Sequence, residues 1–400
     1  MSYALLEQRF RELGDLGHAQ AMLGWDEAVM MPTGGGARRG DVLATLAGIV
    51  HRQLTSSETA DLIAAAGEES ELDHWQRANL REIERAHTHA TALPATLVVE
   101  RSRLSTRCEQ TWRKAREAND WRAVAGLLGD LVELTRELGA ALGVANRLAP
   151  YDALIDRYQP GMTQAQIDSI FTELRTFLPG LIDSVIAQRP KPLPFAGPFP
   201  RHKQETLARA LMTTIGFDFD HGRLDTSHHP FCGGDPDDTR ITTRYDESDF
   251  LPSLMAVLHE TGHAMYEQGL PRAWRGLPVG EAAGMAVHES QSLLMEMQVC
   301  RGREFLGYAA PIIREHLGTD STGAWHADNL YLASTQVRRG LIRVDADELT
   351  YPLHVILRYE LEQALMSGDL AVTDVPAAWD EKMRHYLDRS TKDDFRDGCM

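Results

Sequence analysis

The sequence predicts a mainly α-helical protein, and three observations carry that expectation. Apolar residues recur at helical spacing through most of the chain. Two S/T-x-x-E/Q patterns, Thr55-x-x-Glu58 and Thr163-x-x-Gln166, stand where helices should open. The best strand candidate is short: residues 239–245 are β-branched and alternating.

From the start to about Asn146, helix follows helix. Leu5, Phe10, Leu13 and Leu16 form the apolar stripe of the first. Pro32-Thr33-Gly34-Gly35-Gly36 reads as an interhelix turn. Its glycines lie beside Arg38 and Arg39 but lack the preceding strand and the Lys-Ser/Thr end of a phosphate loop. Helices are expected over 73–91, 95–118 and 121–148. His87 and His89, two apart, would point in different directions on the first of these, so they make no metal pair. Thr163 opens a helix to about Gln188, five prolines between Arg189 and Pro200 impose a rigid loop, and 201–216 returns to helix. Residues 229–236 are too rich in Gly and Pro for a helix. The strand over 239–245 is expected to offer an exposed edge to an extended peptide, the alternative being a small structural hairpin. Later helices are expected over 251–268, 280–300, 351–366 and 376–387.

A formal charge of -17 argues against nucleic acid and anionic membrane as partners. Met1 to Gln20 lacks a basic start followed by an apolar run, and no stretch approaches membrane-spanning length. Cys108, Cys232, Cys300 and Cys399 show no paired spacing and read as reduced thiols, so the expected location is cytoplasmic. The 400 residues are expected to form one catalytic unit. Residues 1–150 would be an N-terminal helical part and cleft wall, and 151–400 the part holding the metal site.

The chemistry centres on His259-Glu260-Thr261-Gly262-His263, an H-E-x-x-H motif inside the helix expected over 251–268. Residues four apart share a helix face, so His259 and His263 can aim two imidazoles at one ion. Glu260, one residue further round, looks past them towards the water such an ion would carry, where a general base must stand. A third protein ligand is needed. Glu289, in His288-Glu289-Ser290-Gln291, shares a helix side with Met285, Ala286, Ser292 and Leu293, and a carboxylate facing a packed interior calls for a cation. Glu281, His288 and Glu296 compete for the role. With Glu289 as ligand, His288 and Gln291 would line the site or orient its ligands. Arg343 stands alone among apolar and acidic residues. It either grips a peptide's terminal carboxylate or pairs with Asp345, Asp347 or Glu348.

These motifs resemble, in order, those of the carboxypeptidase Taq family of metallocarboxypeptidases (thermostable carboxypeptidase 1): His229-Pro230-Phe231, Asp238-x-Arg240-x-Thr242, His259-Glu260-x-x-His263, His288-Glu289-Ser290-Gln291 and Ile342-Arg343-x-x-Ala346-Asp347. The resemblance implies a zincin-like helical fold with a central groove and a small strand element near the active site, commonly as a homodimer. It implies removal of single C-terminal residues from peptides with broad tolerance, using one Zn2+ per chain, or Co2+. Residue by residue it implies His259, His263 and Glu289 as ligands, Glu260 as general base and Arg343 on the terminal carboxylate, with Asp238, Arg240 and His229 lining or bracing the cleft. Gly398-Cys399-Met400 resembles the opening of a further family motif, glycine-x-x-glutamine-aspartate-x-histidine-tryptophan. The chain is therefore expected to lack the family's C-terminal histidine and tyrosine. The alternatives are an impaired metal-binding pseudoenzyme or dimeric scaffold, and a zinc oligopeptidase.

Overall fold

The computed structural model describes residues 2–227, 230–318 and 323–400. Helices α1 (Ser2–Val29), α2 (Gly36–Leu54), α3 (Ser57–Gly67), α4 (His74–Thr91), α5 (Ala95–Glu117) and α6 (Trp121–Asn146) succeed one another. The apolar stripe of α1 is Tyr3, Leu6, Phe10 and Leu13; Phe10 and Leu13 are buried as expected, while Leu6 takes the place of Leu5, which is 58% exposed. The cap of α3 is offset by one position. Ser56, not Thr55, accepts from the Thr59 N–H, while the Thr55 hydroxyl donates back to the His51 carbonyl. The second predicted box holds: Thr163 and Gln166 cap each other at the start of α8 (Gln164–Gln188), which follows the short α7 (Pro150–Asp156). Then come α9 (Arg201–Ile215), strands β1 (Gly222–Thr226), β2 (Phe231–Asp235) and β3 (Asp238–Thr243), and α10 (Phe250–Gln268).

The sheet corrects one expectation. Its order is β1-β3-β2, with β1 parallel and β2 antiparallel to β3, and Thr242 of β3 sits opposite both Asp225 and Phe231. The predicted strand is therefore central. Its backbone groups are taken up by both neighbours, and it has no free edge for a peptide.

The second correction concerns residues 280–300. Gly280 to Gly284 lie outside any α-helix; α11 begins at Met285 and ends at Leu293, and Leu294–Cys300 continues it as a π-helix. Helices α12 (Arg303–Leu317), α13 (Ala327–Ser334), α14 (Tyr351–Ser367) and α15 (Val375–Leu387) complete the chain. All four cysteines are free, and among the described residues no helix is long and apolar enough to cross a membrane.

The chain divides into two compact units. The first joins residues 1–91 to 192–334 and has α10 at its centre. One side of α10 (Leu254, Leu258) packs into a core with Phe199, Phe250 and Trp325. Val257 and Ala264 pack against Leu224 and Ile241 of the sheet. Burying Leu254, Leu258 or Val257 contributes about 1.5–3 kcal/mol each, so the helix is held on two fronts. The second unit joins 92–191 to 335–400, around Leu178, Ile182, Leu353, Leu357 and Met383.

Candidate active site

Asp249 caps α10 by accepting from the Leu251 N–H, and the two packed faces fix the helix about its axis. His259 and His263, one turn apart, therefore emerge together. Gly262 decides what faces them. A Cβ there would lie 2.6 Å from the Gln291 carbonyl oxygen and 2.6 Å from Ser292 Cα, so only glycine lets α10 and α11 approach this closely. That approach brings Glu289 to the histidines: its Oε2 lies 3.3 Å from His263 Nε2 and 3.8 Å from His259 Nε2. Of the neighbours invoked for the facing of Glu289, Ser292 is buried and Leu293 partly so, whereas Met285 and Ala286 are exposed.

The donor atoms of His259, His263 and Glu289 all lie within 4.8 Å of one another. Ligands about 2.0–2.1 Å from a tetrahedral zinc stand about 3.3–3.4 Å apart, so these donors fit that ion with small adjustments. Burial raises the cost of charge on Glu289, but the His263 and His259 imidazoles beside it outweigh this and hold its carboxyl below the usual range.

Each imidazole is anchored through its other nitrogen. His259 Nδ1 donates to Glu296 Oε2 at 2.9 Å, and Glu296 Oε1 accepts from Arg301 at 2.5 Å. Burial would raise the Glu296 pKa, but His259 and Arg301 reverse this and hold it low. Burial would depress His259; Glu296 first, then Glu289 and Glu260, push it up instead. His263 Nδ1 lies 2.6 Å from His288 Nδ1, whose Nε2 lies 2.7 Å from Glu267 Oε1. A carboxylate can only accept, so His288 donates to Glu267 and accepts from His263, leaving His263 Nε2 free for a cation. Glu296 sits in the π-helical turn, a conformation often found at functional sites.

Glu260 is 7% exposed and takes no hydrogen bond from a described group. Burial pushes its pKa up, against the pull of the two histidines. Such a carboxyl binds a proton more readily than a solvated one, as a base must. Asp238 and Arg240 form a two-pronged pair at 2.9 and 2.7 Å, and the Arg240 guanidinium stacks 4.2 Å from the Trp25 ring centre. Gln291 donates to the adjacent Ser290 hydroxyl and contributes its backbone to the Gly262 contact. His229 lies outside the described residues. Arg343 belongs to the second unit, where it donates to the Tyr351 hydroxyl at 2.9 Å.

Sequence reasoning weighed Glu296 only as a rival ligand and passed over Glu267, Arg301 and the platform under Arg240. Two signals were available. Glu267 lies four residues after His263, and Glu296 seven after Glu289, spacings that share a helix face.

The sequence profile described as carboxypeptidase Taq (M32) metallopeptidase matches residues 5–400. Thermostable carboxypeptidase 1 of Thermus thermophilus is 37% identical over 413 residues, covering 100% of this chain and 80% of that protein. Carboxypeptidase 1 of Bacillus subtilis is 31% identical over 388 residues, covering 94% and 75%. Among solved structures, Trypanosoma cruzi metallocarboxypeptidase 1 superposes with a TM-score of 0.96 at 41% identity, over 100% of this chain and 80% of that one. The M32 carboxypeptidase of Deinococcus radiodurans gives 0.93 at 34% identity, over 99% and 80%. The mainly helical chain with its small sheet is therefore a member of the carboxypeptidase Taq (M32) family of metallocarboxypeptidases, a family of hydrolases.

Proposed function

We propose that this metallocarboxypeptidase uses one zinc ion, with cobalt as a working substitute, to remove single C-terminal residues from peptides with broad side-chain tolerance. The observation that supports the reading is the approach of Glu289 to both imidazoles at 3.3 and 3.8 Å. His259, His263 and Glu289 would hold the ion. When bound, zinc polarises a carbonyl and acidifies water. Glu260 takes the proton from the attacking water and returns it to the leaving amine. Its raised affinity for protons suits both halves of that transfer. Arg343 binds the terminal carboxylate, and Asp238 with Arg240 braces the site wall. Function as a cytoplasmic homodimer belongs to the same reading.

The test compares an N-blocked dipeptide with the same dipeptide amidated at its C-terminus, using zinc-loaded protein. Cleavage is expected of the free acid alone. Equal cleavage of both would contradict exopeptidase action and favour an oligopeptidase.

A further inference from the structure

The π-helical turn that carries Glu296 brings a second residue onto it. Leu294–Cys300 closes with a bond from the Arg301 N–H to the Glu296 carbonyl, five residues back, at 3.1 Å. In an α-helix, residues five apart point about 140° away from each other. The wider turn winds Arg301 back over Glu296 instead, and the guanidinium reaches the same residue's carboxylate, donating from Nη2 to Oε1 at 2.5 Å. Its Nη1 donates to the Ser334 carbonyl. Ser334 ends α13 and is buried, and the last carbonyls of a helix have no partner within it. One rigid fork thus serves acceptors on two elements.

The consequence lies on the far side of Glu296, where Oε2 accepts from His259 Nδ1 at 2.9 Å. A carboxylate gripped through one oxygen and facing an imidazole with the other has its plane fixed, and with it the direction of the Nδ1–H bond. The Arg301 and Glu296 side chains are 15% and 10% exposed, so neither charge is well placed there without the other. Without Arg301, the carboxylate would keep His259 as its only ion-pair partner among the described residues and would be free to turn.

We infer that Arg301 is a positioning residue for the metal site: folded back by the π-helical turn and tied to α13, it locks the Glu296 carboxylate that orients the His259 ring. The inference rests on the reading that His259 is a metal ligand.

The test uses the full chain. Zinc affinity is measured by competition with a chromophoric chelator, and the visible spectrum of the cobalt-loaded protein reports the geometry around the ion. Arg301→Met is expected to lower zinc affinity about tenfold and to alter the cobalt spectrum. Arg301→Lys, which keeps the charge but not the fork, should fall between Arg301→Met and wild type. In a chain already carrying Glu296→Gln, Arg301→Met should cost less than about twofold more, because a residue acting through another loses its effect when that other is gone. An undiminished loss in that background assigns Arg301 to folding alone and overturns the proposal, as does an unchanged affinity and spectrum in the single variant. His259→Gln separates the two readings. If it binds zinc as wild type does, the ligand assignment fails. If it loses zinc while Arg301→Met binds normally, the assignment stands and the inference about Arg301 falls. Circular dichroism checks folding; should Arg301→Met not fold, Arg301→Lys alone and with Glu296→Gln carries the same comparison.

Discussion

Glu296 reaches His259 from behind. Its carboxylate accepts from Nδ1 at 2.9 Å, while the Nε2 of the same ring faces Glu289 at 3.8 Å. One imidazole thus lies between two carboxylates, and the nearer one sets which nitrogen carries the proton.

Glu296→Gln keeps an acceptor for Nδ1 but removes the charge and leaves the Arg301 ion pair broken. Zinc affinity is expected to fall about 10–100-fold. Competition against a chromophoric chelator measures it; unchanged affinity would assign Glu296 to packing alone.

Two further carboxylates should separate by role. Glu289→Gln is expected to deplete bound zinc, whereas Glu260→Gln should keep near-normal metal content and lose hydrolysis, a drop of about a hundred-fold or more. Elemental analysis beside a peptidase assay checks both, and the reverse pattern would interchange the assignments.

Gly262→Ala should part α10 from α11, because the contacts in its way are backbone atoms at 2.6 Å. Overpacking of this kind costs about 1–3 kcal/mol. Lower melting temperature together with weaker zinc binding is expected; a variant normal in both would show that the helices can separate without disturbing Glu289.

His354 links stability to pH. Burial first, then the neighbouring Arg358 charge, lowers its pKa from the ordinary 6.5 to about 4. Between these values the unfolded chain binds a proton that the folded chain refuses. Stability from this group is therefore complete above about 6.5 and drains away as pH falls towards 4, by on the order of 3 kcal/mol. Urea unfolding of wild type and His354→Gln should show a steeper acid loss in the wild type; parallel curves would rule the linkage out.

Much of this could be read in advance wherever the information is local. The helices around His259 and Thr163 follow from apolar spacing and cap chemistry, which act within a few residues. The ends are less legible: Ser56 displaced Thr55 as a cap, and Gly280 to Gly284 left the helix expected to contain them. Neighbouring hydroxyls compete for the same N–H groups, and nothing nearby selects the winner.

The residues themselves determined that two imidazoles share one helix face and that a glutamate stands beside them, because a 3.6-residue turn dictates it. Only the folded chain decided that Glu289 comes to 3.3 and 3.8 Å from the two imidazoles, that Glu296 and His288 hold the rings, and that the strand over 239–245 is enclosed on both sides. Each of those outcomes depends on elements distant in sequence meeting at backbone distance, as at Gly262, and such meetings are settled by packing rather than by the period of any one helix.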